Sequence, residues 1–155
     1  MELNKEQEEW LREFANHYST GNRNANRGPV NEEMFREAGF AMQHLPAGLK
    51  NEALCFAAVQ QDGRLLEYVP DALKTEAPCL AAVQQDGWAL QFVPDALKTE
   101  ALCLAAVRQD GYTLQFVPDA LKTEAICLAA VRQSDGTLAY VPDALRDKVQ
   151  DALKQ

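Results

Sequence analysis

The chain has 155 residues, 47% hydrophobic and 25% charged, with a formal net charge of −8. That length suits one domain with its own core, and the composition is that of a folded globular protein rather than a disordered one. So acidic a balance argues against nucleic acid, whose phosphates need clustered Lys and Arg. No apolar run reaches the roughly 18 residues of a membrane span, and the opening MELNKEQEEWLREF does not read as a secretory leader.

Residues 4–19 pattern as an amphipathic helix with Trp10, Leu11, Phe14 and Tyr18 on one side. The polar stretch Thr20–Val30 reads as a loop. From Gly39 a faint copy of a repeat begins, in which GFAMQHLP aligns with GRLLEYVP and GWALQFVP. Four full copies follow with a period of 24: Leu45–Tyr68, Val69–Phe92, Val93–Phe116 and Val117–Tyr140. A partial fifth copy, VPDALRDKVQDALKQ, runs from Val141. The chain thus divides into a capping segment with a degenerate repeat (1–44), four tandem repeats (45–140) and a closing helix (141–155), in a single folded unit.

Each copy reads as helical. Asn51, Thr75, Thr99 and Thr123 are placed as N-caps, and Pro78 falls in a first turn, where its missing N–H removes no intrahelical bond. Segments such as TEALCLAAVRQD are rich in good helix formers. Gly63, Gly87 and Gly111 are expected to end these helices as left-handed residues. A short apolar turn follows, then Val-Pro breaks it, and Pro118 and its equivalents open a second single turn, PDALK, at the first helical position. No segment alternates with period two. Three rows are expected in the core: Leu49, Leu73, Leu97, Leu121 and Leu145; Val59, Val83, Val107 and Val131; and Leu66, Leu90, Leu114 and Leu138. The fold class is therefore all-α, a short α-solenoid of about four 24-residue helical repeats with N- and C-terminal capping helices. In the closing helix Leu145, Val149 and Leu153 recur every four residues.

The unit E-A-x-C-L-A-A-V-x-Q-D-G-x-x-L-x-x-V-P-D-A-L-K, with A-V-R-Q-D-G at Ala106–Gly111, resembles a bacterial repeat family known as a domain of unknown function, number 4116. The resemblance runs from about Gly39 to Leu145. It implies a helical repeat module, some of whose bacterial members are suspected host-interaction factors, and it implies no catalytic residues. By architecture the unit is also similar to leucine-rich-repeat-variant and HEAT-type solenoids. Ser134-Asp135-Gly136 departs from the pattern, with the Asp-Gly pair moved by one while the repeat length is kept, as in a local loop change.

Cys55, Cys79, Cys103 and Cys127 are evenly spaced. Stacked helices lie about 8–10 Å apart, too far for disulfides, and a row does not converge on a metal, so they are expected to form a buried apolar row. Four free thiols favour a reducing, cytoplasmic compartment, whether in the cell of origin or in a host cytosol reached without a cleaved leader. His17 and His44 match no metal or nucleophile motif, and His44 reads as a packing residue. Asp71, Asp95, Asp119 and Asp143, with Glu76, Glu100 and Glu124, sit near helix starts, which favour negative charge. No cofactor, metal or catalytic motif stands out.

Two rows differ between otherwise similar copies: Gln60, Gln84, Arg108 and Arg132, and, four positions later, Arg64, Trp88 and Tyr112. Trp, Tyr and Arg are enriched at binding hot spots, although Trp88 and Tyr112 also suit packing on neighbouring turns. These seven residues are the candidate protein-binding site of a non-catalytic interaction module with a protein partner. The alternative is an acidic inhibitor, immunity protein or antitoxin that masks a basic target. Self-association through poorly capped repeat ends is a further option.

Overall fold

In a computed structural model, residues 4–10 and 42–155 are described. The expected features at Leu11, Phe14, His17, Tyr18, the 20–30 loop and Gly39 lie outside the described residues. Four ten-residue α-helices recur, α1 (Glu52–Gln61), α2 (Glu76–Gln85), α3 (Glu100–Gln109) and α4 (Glu124–Gln133). Each is followed by a six-residue 3-10 helix, Gly63–Tyr68, Gly87–Phe92, Gly111–Phe116 or Asp135–Tyr140. Short 3-10 turns, Asp71–Leu73, Asp95–Leu97 and Asp119–Leu121, lead into α2, α3 and α4. The chain closes on α5 (Asp143–Leu153). Packing runs between sequence-adjacent elements, and the described residues hold no strand. The fold is an all-α repeat solenoid.

Local chemistry sets the helix boundaries. Asn51, Thr99 and Thr123 accept from the backbone N–H of Leu54, Leu102 and Ile126. Thr75 makes no such bond, because Pro78 occupies that third helical position and has no N–H to give. At the other end Asp62, Asp86 and Asp110 close one helix and open the next. Their backbone N–H groups bond the helix behind them, and their carboxylates accept from the N–H of Arg64, Trp88 and Tyr112.

Two expectations about these boundaries are corrected. Among the described residues no glycine has positive φ. Gly63, Gly87 and Gly111 instead begin the 3-10 helices against the next repeat: a Cβ there would lie 2.5, 2.7 or 2.6 Å from the carbonyl oxygen of Ala82, Ala106 or Ala130. The glycine is required by close approach, not by backbone handedness. The prolines before the short turns are N-caps with ψ of 141–142° rather than first helical residues.

The core is one continuous cluster along the stack. Val59, Val83, Val107 and Val131 are buried, as are Leu66, Leu90 and Leu114. Met42 is fully buried at the register of Leu66, as a degenerate first copy requires. The row from Leu49 to Leu145 is only partly buried and packs against the core from its edge, and Leu138 is partly buried because its repeat is the last. Glycine at position 136 does not lengthen the repeat, since Asp135–Tyr140 has the same six residues as its counterparts.

Both ends are covered by other elements. Residues 5–10 are helical, entered by a reciprocal capping box in which Asn4 and Gln7 each donate a backbone N–H to the other's side chain at 2.9 Å. Gln7 is buried, and its Nε2 donates to the Leu49 carbonyl at 2.6 Å. Trp10 packs against the core from the same helix. At the far end Val149 of α5 is fully buried, while Leu153, expected on the same side, is exposed.

Candidate functional site

Gln60, Gln84, Arg108 and Arg132 all lie exposed on the last turns of α1–α4. Arg64, Trp88 and Tyr112 follow on the 3-10 helices, also exposed. The fold thus lines both rows along the stack, one beside the other.

The second row is tied down at one edge. Trp88 Nε1 donates to Asp110 Oδ2 of the next repeat at 2.8 Å, and its ring meets Phe116 edge-on, with centroids 5.5 Å apart. Tyr112 makes the equivalent reach, its hydroxyl accepting from Ser134 Oγ at 3.1 Å. Gly136 leaves room for that hydroxyl, since a Cβ there would lie 2.6 Å from it. Trp88 and Tyr112 still expose 38% and 40% of their surface. The two rings are thus anchored at one edge and open on a face. Arg64 instead folds back on Asp62, with Nε at 3.1 Å and a terminal nitrogen at 2.9 Å from its two oxygens. The hydrogen bond from Arg64 holds the Asp62 carboxyl below the usual carboxylate range, and Asp62 in turn raises the guanidinium.

A frame that sequence reasoning missed sits beneath these rows. Gln109 Nε2 donates to the carbonyls of Val83 and Gln84 at 2.6 and 3.1 Å, and its Oε1 accepts from Gly87 N–H at 2.9 Å. Gln133 repeats the clamp on Arg108 O at 2.5 Å and on Gly111 N–H at 3.1 Å. Gln85 donates to Gln60 O. Helix C-termini leave carbonyls without intrahelical partners; here the following repeat supplies donors. The signal was present in the sequence: Gln61, Gln85, Gln109 and Gln133 are invariant beside a position that varies.

The four cysteines are buried and free. Burial raises each thiol pKa, that of Cys103 to about 11. Lys74, Lys98 and Lys122 lie largely buried along the stack and pair at 2.8–2.9 Å with Asp71, Asp95 and Asp119, whose carboxylates are exposed. Among the described residues no group of three or more His, Cys, Asp or Glu side chains converges as a metal site would require. His44 is exposed rather than packed, like Tyr68 and Tyr140 at its register. A shallow groove of about 540 Å³ opens between α1 and α2, lined by Phe56, Pro78 and neighbouring small or polar residues. No helix among the described residues is long and apolar enough to cross a membrane.

Residues 79–122 and 99–146 match a family model described as Domain of unknown function (DUF4116). Residues 79–146 are thus similar to this repeat-containing domain of unknown function. The overlap of the two matched segments reflects the tandem copies, and both fall on the helix–3-10 units described above. No curated protein and no solved structure matches the chain significantly.

Proposed function

We propose that this DUF4116 repeat region is a non-catalytic protein-binding module that recognises its partner through Arg64, Trp88 and Tyr112, flanked by Gln60, Gln84, Arg108 and Arg132. The observation that carries this reading is the Trp88 geometry: a polar edge fixed on Asp110 and an aromatic face left open. A ring held in place loses little freedom on binding, which is what a hot-spot residue needs. The buried thiol row is compatible with action in a reducing, cytoplasmic compartment.

The test is capture from bacterial and host lysates on immobilised chain, comparing wild type with a Trp88→Ala/Tyr112→Ala variant of unchanged helicity. Loss of a captured protein with the variant supports the reading. Equal capture that is eluted by moderate salt overturns it in favour of the acidic inhibitor. That second reading draws on the exposed carboxylates of Asp71, Asp95 and Asp119, but each is already paired with a lysine of its own repeat, which leaves less free negative charge for a basic target.

A further inference from the structure

The outer face of the four long helices carries apolar side chains that no element among the described residues covers. Leu80 exposes 41% of its surface, and Phe56, Leu104 and Leu128 are partly exposed at the same register. An exposed alanine lies three residues before each of them. These helices carry apolar residues on both faces, whereas a surface helix ordinarily turns a polar face outward. Leu104 and Leu128 turn part of their surface to the core and the rest outward, and apolar surface left exposed in a row is the material of an interaction site.

The two rims of this face carry opposite character. Glu52, Glu76, Glu100 and Glu124 begin the helices and are exposed. Arg108 and Arg132 sit on the last turns of α3 and α4, also exposed. Within residues 45–140 every other basic side chain forms an ion pair or donates to a backbone carbonyl. Arg108 and Arg132 have no such partner.

We propose that this face is a homodimer interface whose occupant is a second copy of the chain, related by a two-fold axis parallel to the solenoid. That operator sets each long helix antiparallel to its own copy. Arg108 then faces Glu100 of the second copy and Arg132 faces its Glu124, and symmetry repeats both pairs. A two-fold axis along the helices would place glutamate row on glutamate row. Charge complementarity therefore selects one arrangement. The antiparallel setting also opposes the helix dipoles favourably. A ten-residue helix is about 15 Å long and neighbours lie about 8–10 Å apart. Four such faces offer roughly 500 Å² per copy, which lies at the weak end of specific interfaces. The dimer adjoins the strip assigned above and shares its two arginines, but it does not rest on that reading.

Sedimentation velocity over about 5–500 µM protein tests it, since mass action makes the dimer concentration-dependent. Wild type is expected to dimerise with a dissociation constant of about 10–100 µM. Arg108→Glu/Arg132→Glu should weaken association at least tenfold, and adding Glu100→Arg/Glu124→Arg should restore it. Leu80→Asp, at an exposed site, should weaken association with helicity unchanged. Trp88→Ala/Tyr112→Ala should leave it intact. A wild-type chain that stays monomeric throughout overturns the proposal. So does a dimer indifferent to Leu80→Asp and to the arginine reversals.

Discussion

The backbone N–H of Gly87 donates to Oε1 of Gln109 at 2.9 Å, linking residues 22 positions apart. The same amide group also serves two carbonyls at the end of α2. One side chain thus satisfies a helix C-terminus and a 3-10 N-terminus of the preceding repeat. Gln109→Ala leaves these groups without their partner and should cost about 1–3 kcal/mol. Gln109→Glu keeps the acceptor but sets a carboxylate against two carbonyl oxygens, so it should cost at least as much. Urea unfolding of the three proteins checks both values.

Gly87 faces the Ala106 carbonyl so closely that a Cβ would sit 2.7 Å from its oxygen, whereas a Cβ on Gly48 meets nothing within 4 Å. Gly87→Ala should therefore destabilise by about 1–3 kcal/mol, because backbone, not a flexible side chain, must move. Gly48→Ala should stabilise by roughly 0.4–1 kcal/mol through the unfolded chain. Opposite shifts in unfolding midpoint are the expected result.

Thr99 caps α3 through Leu102 N–H, and Thr75 has no N–H to cap because of Pro78. Thr99→Ala should cost about 1 kcal/mol and Thr75→Ala only a few tenths. In a Pro78→Leu background the cost of Thr75→Ala should rise to about 1 kcal/mol. A double-mutant cycle on positions 75 and 78 measures that coupling.

Burial raises the Cys103 thiol to about 11, above its ordinary value of 9.0. A group whose folded pKa is raised contributes stability below its unfolded pKa and loses it as pH climbs through the folded one. Stability should therefore fall between about pH 9 and pH 11, by on the order of 2 kcal/mol from this thiol. Cys103→Ala should flatten that fall relative to wild type in urea titrations at several pH values. Alkylation of native protein near neutral pH should be slow at all four thiols, since each is buried and protonated.

The repeat period, the three-turn helices, the valine row and the buried cysteines were legible in the sequence because each is a one-dimensional pattern. Val59, Val83, Val107 and Val131 announce their burial by recurrence alone. The role of the glycines is not legible in the sequence. A helix followed by Asp-Gly looks like a left-handed stop, and only the approach of Ala82, Ala106 and Ala130 from the next repeat reveals the steric one. The glutamine clamp was equally hidden, since its partners lie 22–26 positions back. For the candidate site, sequence placed the two varied rows but not the tether of Trp88 to Asp110, which depends on inter-repeat spacing. The exposure of Leu80 is not legible in the sequence, because it shares its helical position with Leu104 and Leu128, which do pack partly against the core.

The swap at Ser134-Asp135-Gly136 acts as an end-stop. Glycine opens the 3-10 helix wherever another long helix stacks above it; Asp135 takes that place in the final copy and is exposed. There the segment VPDAL runs straight on as α5 instead of breaking before a new ten-residue helix. The array therefore carries its own count of copies in a few side chains. A 24-residue copy spliced between Phe92 and Val93 would meet a glycine, an alanine carbonyl and a glutamine clamp on either side, and the stack would lengthen by one. The same copy placed after Tyr140 would press a helix onto Asp135.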